Sequence, residues 1–312
     1  MEFGTSYSNP TRIVGEIGNQ HDGSLGDACR MTEAIASAGA DAVKYQLHLA
    51  DYESTEAERW PARFDFHPQD KSRQAFWRRI QFDIGQWRTL TQTAREAGLE
   101  VIVSVFCIEA VAWAEKLADR IKIPSGQVTD LALVEAVGKV GLPVVLSSGF
   151  ATEDEIDKAI DYLGSPTRED IHVLQCTTEY PCPPERIGLN LVDRYSRNLA
   201  FLGGLSDHSG TIAAGIAAAA LNASMVEVHV CWHKRQFGPD VSSALTIDEL
   251  AELCRGVRFV NKARMFRVDK DVMAEYLKTH GDVACYVDGK RRRKHKPDYE
   301  RSQTWTKRDA SA

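Results

Sequence analysis

Short runs of β-branched and aliphatic residues alternate along this chain with longer stretches whose apolar positions recur at helical spacing. Eight runs predict strands: Arg12–Ile17, Ala42–Gln46, Glu100–Val105, Arg120–Ile123, Pro143–Ser147, Ile171–Gln175, Ala200–Leu205 and Met225–Val230. The amphipathic stretches predict helices over Asp27–Ala38, Ile84–Ala97, Asp130–Val140 and Thr152–Leu163, each followed by a glycine. A glycine after the last periodic residue stops a helix because it accepts positive φ. Asp130 and Thr152 read as N-caps, and Thr152 with Glu155 has capping-box spacing. Strand followed by helix, eight times over, predicts an α/β fold: a closed (β/α)8 TIM barrel over residues 10–268, with an open doubly wound sheet as the other arrangement.

Two regions depart from this rhythm. His48 to Phe82 is a long insertion after the second strand, carrying Trp60, Phe64, Phe66, Phe76, Trp77 and Phe82. A connection of that length at the active end of a barrel is expected to be a substrate lid or a subunit contact. Residues 269–312 form a C-terminal extension with the basic run Lys290 to Lys296, expected to be a solvated, partly mobile tail.

Composition narrows the classes. A 312-residue chain with 43% hydrophobic and 26% charged residues is globular, and a net charge of −6 argues against a general nucleic-acid binder. Neither a secretory signal nor an apolar stretch of membrane-spanning length is evident. The seven cysteines contain no CxxC pair, which suits reduced, buried thiols and a cytoplasmic location.

The chemistry lies at the carboxyl ends of the strands, the active face of such a barrel. Lys44 and Gln46 are two apart on one strand and so face the same side, inward. An inward lysine needs an anionic partner, either a structural carboxylate or a ligand. Lys122 repeats the case, and with Ser125 and Ser147 the two lysines look like a clamp for phosphate and carboxylate groups. Ser206 and His208 end the seventh strand and His229 ends the eighth, so two imidazoles could share one metal ion. Glu16, at the end of the first strand, could act as a general base or bind a hydroxyl. Asp240, in a Gly-Pro-Asp turn, could hold polyol hydroxyls. Cys176 and Cys182 read as buried thiols, with no dedicated base evident beside either.

Eight segments, in order, resemble the sialic acid synthase family. They are Glu16-Ile17-Gly18 with His21-Asp22-Gly23, Gly39 to Gln46, Lys122 to Gly126, Leu146 to Gly149, Cys176 to Pro181, Ser206 to Ser209, Glu227-Val228-His229 and Gly238-Pro239-Asp240. The resemblance implies a metal-dependent synthase, active as a homodimer, that condenses phosphoenolpyruvate with an aldose or other aldehyde to give a 2-keto-3-deoxy sugar acid. By that resemblance Lys44, Ser104, Lys122, Ser125, Ser147, Thr178 and Ser206 would bind phosphoenolpyruvate. His208 and His229 would hold Mn2+ or Mg2+, and Glu16, Gln46, Tyr180 and Asp240 would face the sugar, with Glu16, Lys44 and Asp240 the catalytic candidates.

Three departures from the family pattern carry expectations. Val105 replaces a threonine and would remove a hydroxyl near the phosphate. Gln20-His21-Asp22-Gly23 replaces Asn-His-Asn-Gly and would alter the polar groups near the sugar. The family's C-terminal antifreeze-like domain, which contacts the acylamino group of the sugar, is expected to be absent, pointing to an acceptor other than plain N-acetylmannosamine. A synthase acting on a phosphorylated sugar, drawing on Arg59, Arg63, Arg73, Arg78 and Arg79, is one alternative. A barrel that has lost catalysis and serves as a binding subunit is the other.

Overall fold

Strand β1 (Arg12–Glu16) pairs on one side with β2 (Ala42–Leu47) and on the other with β8 (Met225–Cys231), and the second pairing closes the sheet into a barrel. Between them run β3 (Glu100–Val105), β4 (Arg120–Ile123), β5 (Val144–Ser147), β6 (Ile171–Cys176) and β7 (Leu202–Asp207), each parallel to its neighbours. This computed structural model describes residues 10–58, 70–164, 167, 170–198, 200–265 and 270–271, with the backbone of 286–287 and 290–291. The outer ring is α1 (Leu25–Ser37), α4 (Ile84–Glu96), α5 (Ile108–Leu117), α6 (Leu131–Val140), α7 (Glu153–Tyr162), α8 (Leu189–Ser196), α9 (Ile212–Ala220) and α10 (Ile247–Met265), while α2 (Ala50–Glu53) and α3 (Arg73–Ile80) belong to the insertion after β2. A short β9 (Leu245–Thr246) pairs with the end of β8. The fold is the expected (β/α)8 barrel.

Residues 8–264 form one compact unit. Beyond it the described strands are β10 (Tyr286–Val287) and β11 (Lys290–Arg291), an antiparallel pair. Trp60, Phe64, Phe66, Arg59, Arg63 and, apart from the backbone of Lys290 and Arg291, the basic run lie outside the described residues.

The caps form as the sequence predicts: Asp130 accepts from the Leu133 N–H, and Thr152 with Glu155 closes a capping box. Strand β7 starts and ends two residues later than expected, because Gly203 and Gly204 lie within it and Ser206 and Asp207 pair with Glu227 and Val228. Helix α1 starts earlier than expected, since Ser24 rather than the region of Asp27 supplies the cap. The six cysteines among the described residues are free, five of them buried.

Side chains alternate across each strand, so the barrel interior fills in layers. At the amino end, Glu100 bridges Arg12 and Arg120 at 2.5 and 2.7 Å, and His172 meets the Ser224 hydroxyl at 3.0 Å. Above lies an apolar layer of Val14, Ala42, Ile102, Val145, Leu174 and Met225, all without solvent exposure. Gly204 completes that layer. A Cβ there would lie 2.5 Å from both Leu174 Cδ2 and the Met225 carbonyl oxygen, and the carbonyl belongs to a paired strand. Gly204→Ala should therefore destabilise the protein by about 1–3 kcal/mol, the usual range for overpacking, read by urea denaturation; an unchanged midpoint would show that the layer is loosely filled.

Candidate active site

Directly above the apolar layer, each strand presents a polar group to the barrel axis. Glu227 on β8 is the hub. Its Oε1 lies 2.9 Å from Lys44 Nζ and accepts from the Ser206 hydroxyl at 3.0 Å, while its Oε2 accepts from Lys122 Nζ at 2.9 Å. Lys44 also meets Glu16 Oε1 at 2.9 Å, and Lys122 donates to the Ser147 hydroxyl at 2.6 Å. These charged side chains are at most 4% exposed. Burying such charges is tolerable only because each is paired and further hydrogen-bonded.

The two lysines feel different surroundings. Burial opposes the charge on Lys44, but Glu16 and Glu227 together outweigh it and hold the ammonium well above the ordinary lysine range. Lys122 has only Glu227, so burial, reinforced by the nearby Lys44 charge, wins and pulls its pKa down. Burial would raise Glu227, yet Lys122 and Lys44 hold it far below the usual carboxylate range. Burial likewise opposes ionisation of Glu16, and His229 and Lys44 overcome it.

A cavity of about 310 Å³ opens above this ionic floor. Ser125 reaches it because Gly149 has no side chain: a Cβ on Gly149, whose φ is +51°, would lie 2.2 Å from Ser125 Cβ. The Thr178 hydroxyl lies 3.3 Å from that of Ser125. His208 and His229 face each other with ring centroids 5.5 Å apart, and Tyr180 stacks on His208 at 4.1 Å. The insertion supplies the far wall with His48, Glu53, Arg73 and Trp77.

The imidazoles fit a shared divalent ion. His208 Nδ1 lies 2.9 Å from the Thr177 carbonyl oxygen, which places a hydrogen there and leaves Nε2, 3.9 Å from the Cys176 sulfur, as the nitrogen that could meet an ion. His229 Nδ1 is buried and makes no hydrogen bond. Burial opposes a charged His208, but Cys176, the Thr177 carbonyl and Glu16 lift its pKa to about 9, so an ion binding there displaces a proton. No group of three or more histidine, cysteine or carboxylate side chains among the described residues forms a metal cage. Two nitrogens would leave the other positions for substrate oxygens and water, as Mg2+ and Mn2+ prefer.

The NeuB family profile matches residues 31–268. The chain belongs to the NeuB family. It is 32% identical over 257 residues to the N,N'-diacetyllegionaminic acid synthase of Campylobacter jejuni, covering 81% of this chain and 77% of that protein. It is also 32% identical over 257 residues to the human N-acetylneuraminate-9-phosphate synthase, covering 82% and 71%. A crystal structure of the Leptospira borgpetersenii N-acetylneuraminic acid synthetase shares the fold, with a TM-score of 0.73 at 24% identity over 88% of this chain and 93% of that one.

In this NeuB-family barrel, Glu16, Lys44, Gln46, Lys122, Ser125, Ser147, Thr178, Tyr180, Ser206, His208, His229 and Asp240 all line the one cavity. Ser104 does not. It is fully buried behind Lys44, whose Nζ donates to its hydroxyl at 3.4 Å, so it supports the lysine instead of meeting a ligand. Gln46, expected to face the sugar, spends its amide N–H on Glu16 at 2.8 Å. Val105 points outward into the core between barrel and helices, so the missing threonine hydroxyl is not a loss to the cavity. Gln20, His21 and Asp22 do not line the cavity either: Gln20 pairs with Gln236 and His21 stacks on Phe82, leaving Asn19 as that loop's contribution. Cys176 is buried as expected, but a base does stand beside it, since both His208 nitrogens lie 3.9 Å from its sulfur.

Glu227 is the main residue that sequence reasoning missed. The signal was there, because Glu227 and His229 are two apart and must face the same way. Two inward lysines require an anion, and although a structural carboxylate was one of the two partners expected, Glu227 was not singled out as that carboxylate.

Proposed function

We propose that the protein condenses phosphoenolpyruvate with an aldose or other aldehyde acceptor, giving a 2-keto-3-deoxy sugar acid and phosphate, with Mn2+ or Mg2+ between His208 and His229. One observation carries this reading: two buried lysines with serine and threonine hydroxyls form the floor of a closed cup, and paired imidazoles stand above them. Lys44, Lys122, Ser147, Ser125 and Thr178 suit a phosphate and a carboxylate, and binding would draw the ammonium groups from Glu227 toward the ligand. His208 and His229 would hold the divalent ion, which would supply Lewis-acid polarisation of the acceptor's aldehyde oxygen.

The chemistry balances with groups at hand. The methylene carbon of phosphoenolpyruvate attacks the aldehyde carbon, and the aldehyde oxygen takes up a proton. Water adds to the resulting cationic C2 and gives up that proton through the ionised Glu16 carboxylate, and the C2 hydroxyl becomes the ketone as its own proton departs and phosphate leaves by carbon–oxygen cleavage. Glu16 would carry that proton; its contacts with Lys44 and Gln46 on Oε1 and with His229 Nε2, 3.3 Å from Oε2, support the role by fixing the carboxylate at the cavity wall. Asp240, 5% exposed on the same cavity, suits acceptor hydroxyls.

A phosphorylated acceptor would need a spare cationic site, and the described arginines of the insertion are engaged. Arg78 pairs with Asp51, Arg79 with Asp70 and Asp22 at 2.8 Å each, and Arg73 with Glu58 at 2.5 Å. An unphosphorylated acceptor is the better match. With manganese and a panel of aldoses and aldehydes, the protein should release phosphate from phosphoenolpyruvate with at least one acceptor, and mass spectrometry should show a joined keto acid. Silence across the panel would favour a non-catalytic barrel.

A further inference from the structure

Behind Glu16 runs a chain of polar contacts that leads away from the ionic floor to the insertion. Gln46 Nε2 donates to Glu16 Oε1 at 2.8 Å. The other end of the same amide, Oε1, lies 3.2 Å from His48 Nε2, and His48 Nδ1 lies 2.7 Å from Glu53 Oε2. Glu53 is anchored in turn, its Oε1 accepting from the Leu49 N–H at 2.6 Å. The His48 ring cannot turn freely: Trp77 stacks on it at 4.0 Å and 14°, and Phe106 at 4.4 Å and 20°. It is 4% exposed.

The hydrogens follow from the partners. If the Gln46 amide were reversed, its carbonyl oxygen would face the Glu16 carboxylate, oxygen against oxygen. The amide therefore turns its NH2 to Glu16 and its oxygen to His48, and only a hydrogen on His48 Nε2 makes that second contact attractive. Nδ1 faces a carboxylate oxygen and needs a hydrogen for the same reason.

We propose that His48 is a positioning residue: clamped between Trp77 and Phe106 and donating from both ring nitrogens, it sets the direction of the Gln46 amide and so holds Glu16 in place for the acceptor. Its effect on turnover rests on the synthase reading above; the arrangement of its hydrogens does not. His48 lies in the insertion, and through it the insertion is wired to the reacting end of the cup as well as walling it.

The test has two arms. Nitrogen NMR of the 15N-labelled protein, with the His48 signal assigned by its loss in His48→Gln, should show an N–H on both ring nitrogens; a ring with one bare nitrogen overturns the proposal. In turnover, His48→Leu should lower kcat by about tenfold to a hundredfold, the usual cost of a misplaced reacting group. KM for phosphoenolpyruvate should stay within about twofold, because the lysine clamp is separate. His48→Gln, whose flat amide can still donate to Gln46, should recover most of the loss. Wild-type kcat in His48→Leu, a change confined to KM, or no recovery in His48→Gln would each overturn the proposal. Should the parent protein turn over no acceptor, the synthase reading fails while the NMR arm still decides the fate of His48.

Discussion

Glu227→Gln should cost about 3–5 kcal/mol of stability, the penalty for stripping one member from a buried ion pair. The substitution is nearly isosteric, so the loss is electrostatic. Glu227 Oε1 faces Lys44 and Oε2 faces Lys122, each at 2.9 Å, so an amide in either orientation turns its NH2 against an ammonium group. Lys44 keeps Glu16, but Lys122 is left with no carboxylate, only the Ser147 hydroxyl and, in one orientation, the neutral amide oxygen. A trianionic ligand supplies the missing charge. Phosphoenolpyruvate should therefore raise the urea midpoint of the variant by more than it raises that of the parent. Denaturation with and without the ligand reads both effects, and a loss below about 1 kcal/mol would mean that the hub contributes little to holding the lysines.

His208→Ala and His229→Ala should each reduce kcat on the order of 10³-fold, the scale of several kcal/mol of lost polarisation at the aldehyde. Chelation of the parent protein should do the same, and added Mn2+ should restore the parent but neither variant. The two single losses should not multiply in the double variant, because one ion needs both rings. Metal content after dialysis gives a readout independent of turnover: about one ion per parent chain and far less in either variant. Full activity after exhaustive chelation would remove the metal from the scheme.

The barrel was legible because short β-branched and aliphatic runs followed by period-3.6 helices leave few ways to bury both faces of a parallel sheet. The lysines, serines and histidines were legible for the same reason, since their parity along each strand fixed which way they face. Other features needed three-dimensional register. That Glu227 falls between Lys44 and Lys122 depends on the stagger around the barrel, through pairings such as Glu16 with His229 and Ser206 with Glu227. That His48 is stacked between Trp77 and Phe106 depends on a connection whose path no local periodicity specifies. Val105 and Ser104 show the opposite case: both orientations follow from strand parity, and only the pull of a family pattern made Val105 look like a loss.

The apolar layer from Val14 to Met225 has a kinetic meaning as well. It stoppers the barrel between the Arg12–Glu100–Arg120 bridge beneath and the Lys44–Glu227–Lys122 hub above. Among the described residues, that layer leaves the cup no passage through the amino end of the barrel. On the reading proposed here, the phosphate-bearing reactant docks against the lysines at the bottom and the aldehyde rests on top of it. An aldehyde loaded first would then lie across the way to the lysines, so binding kinetics should show phosphoenolpyruvate entering before the acceptor.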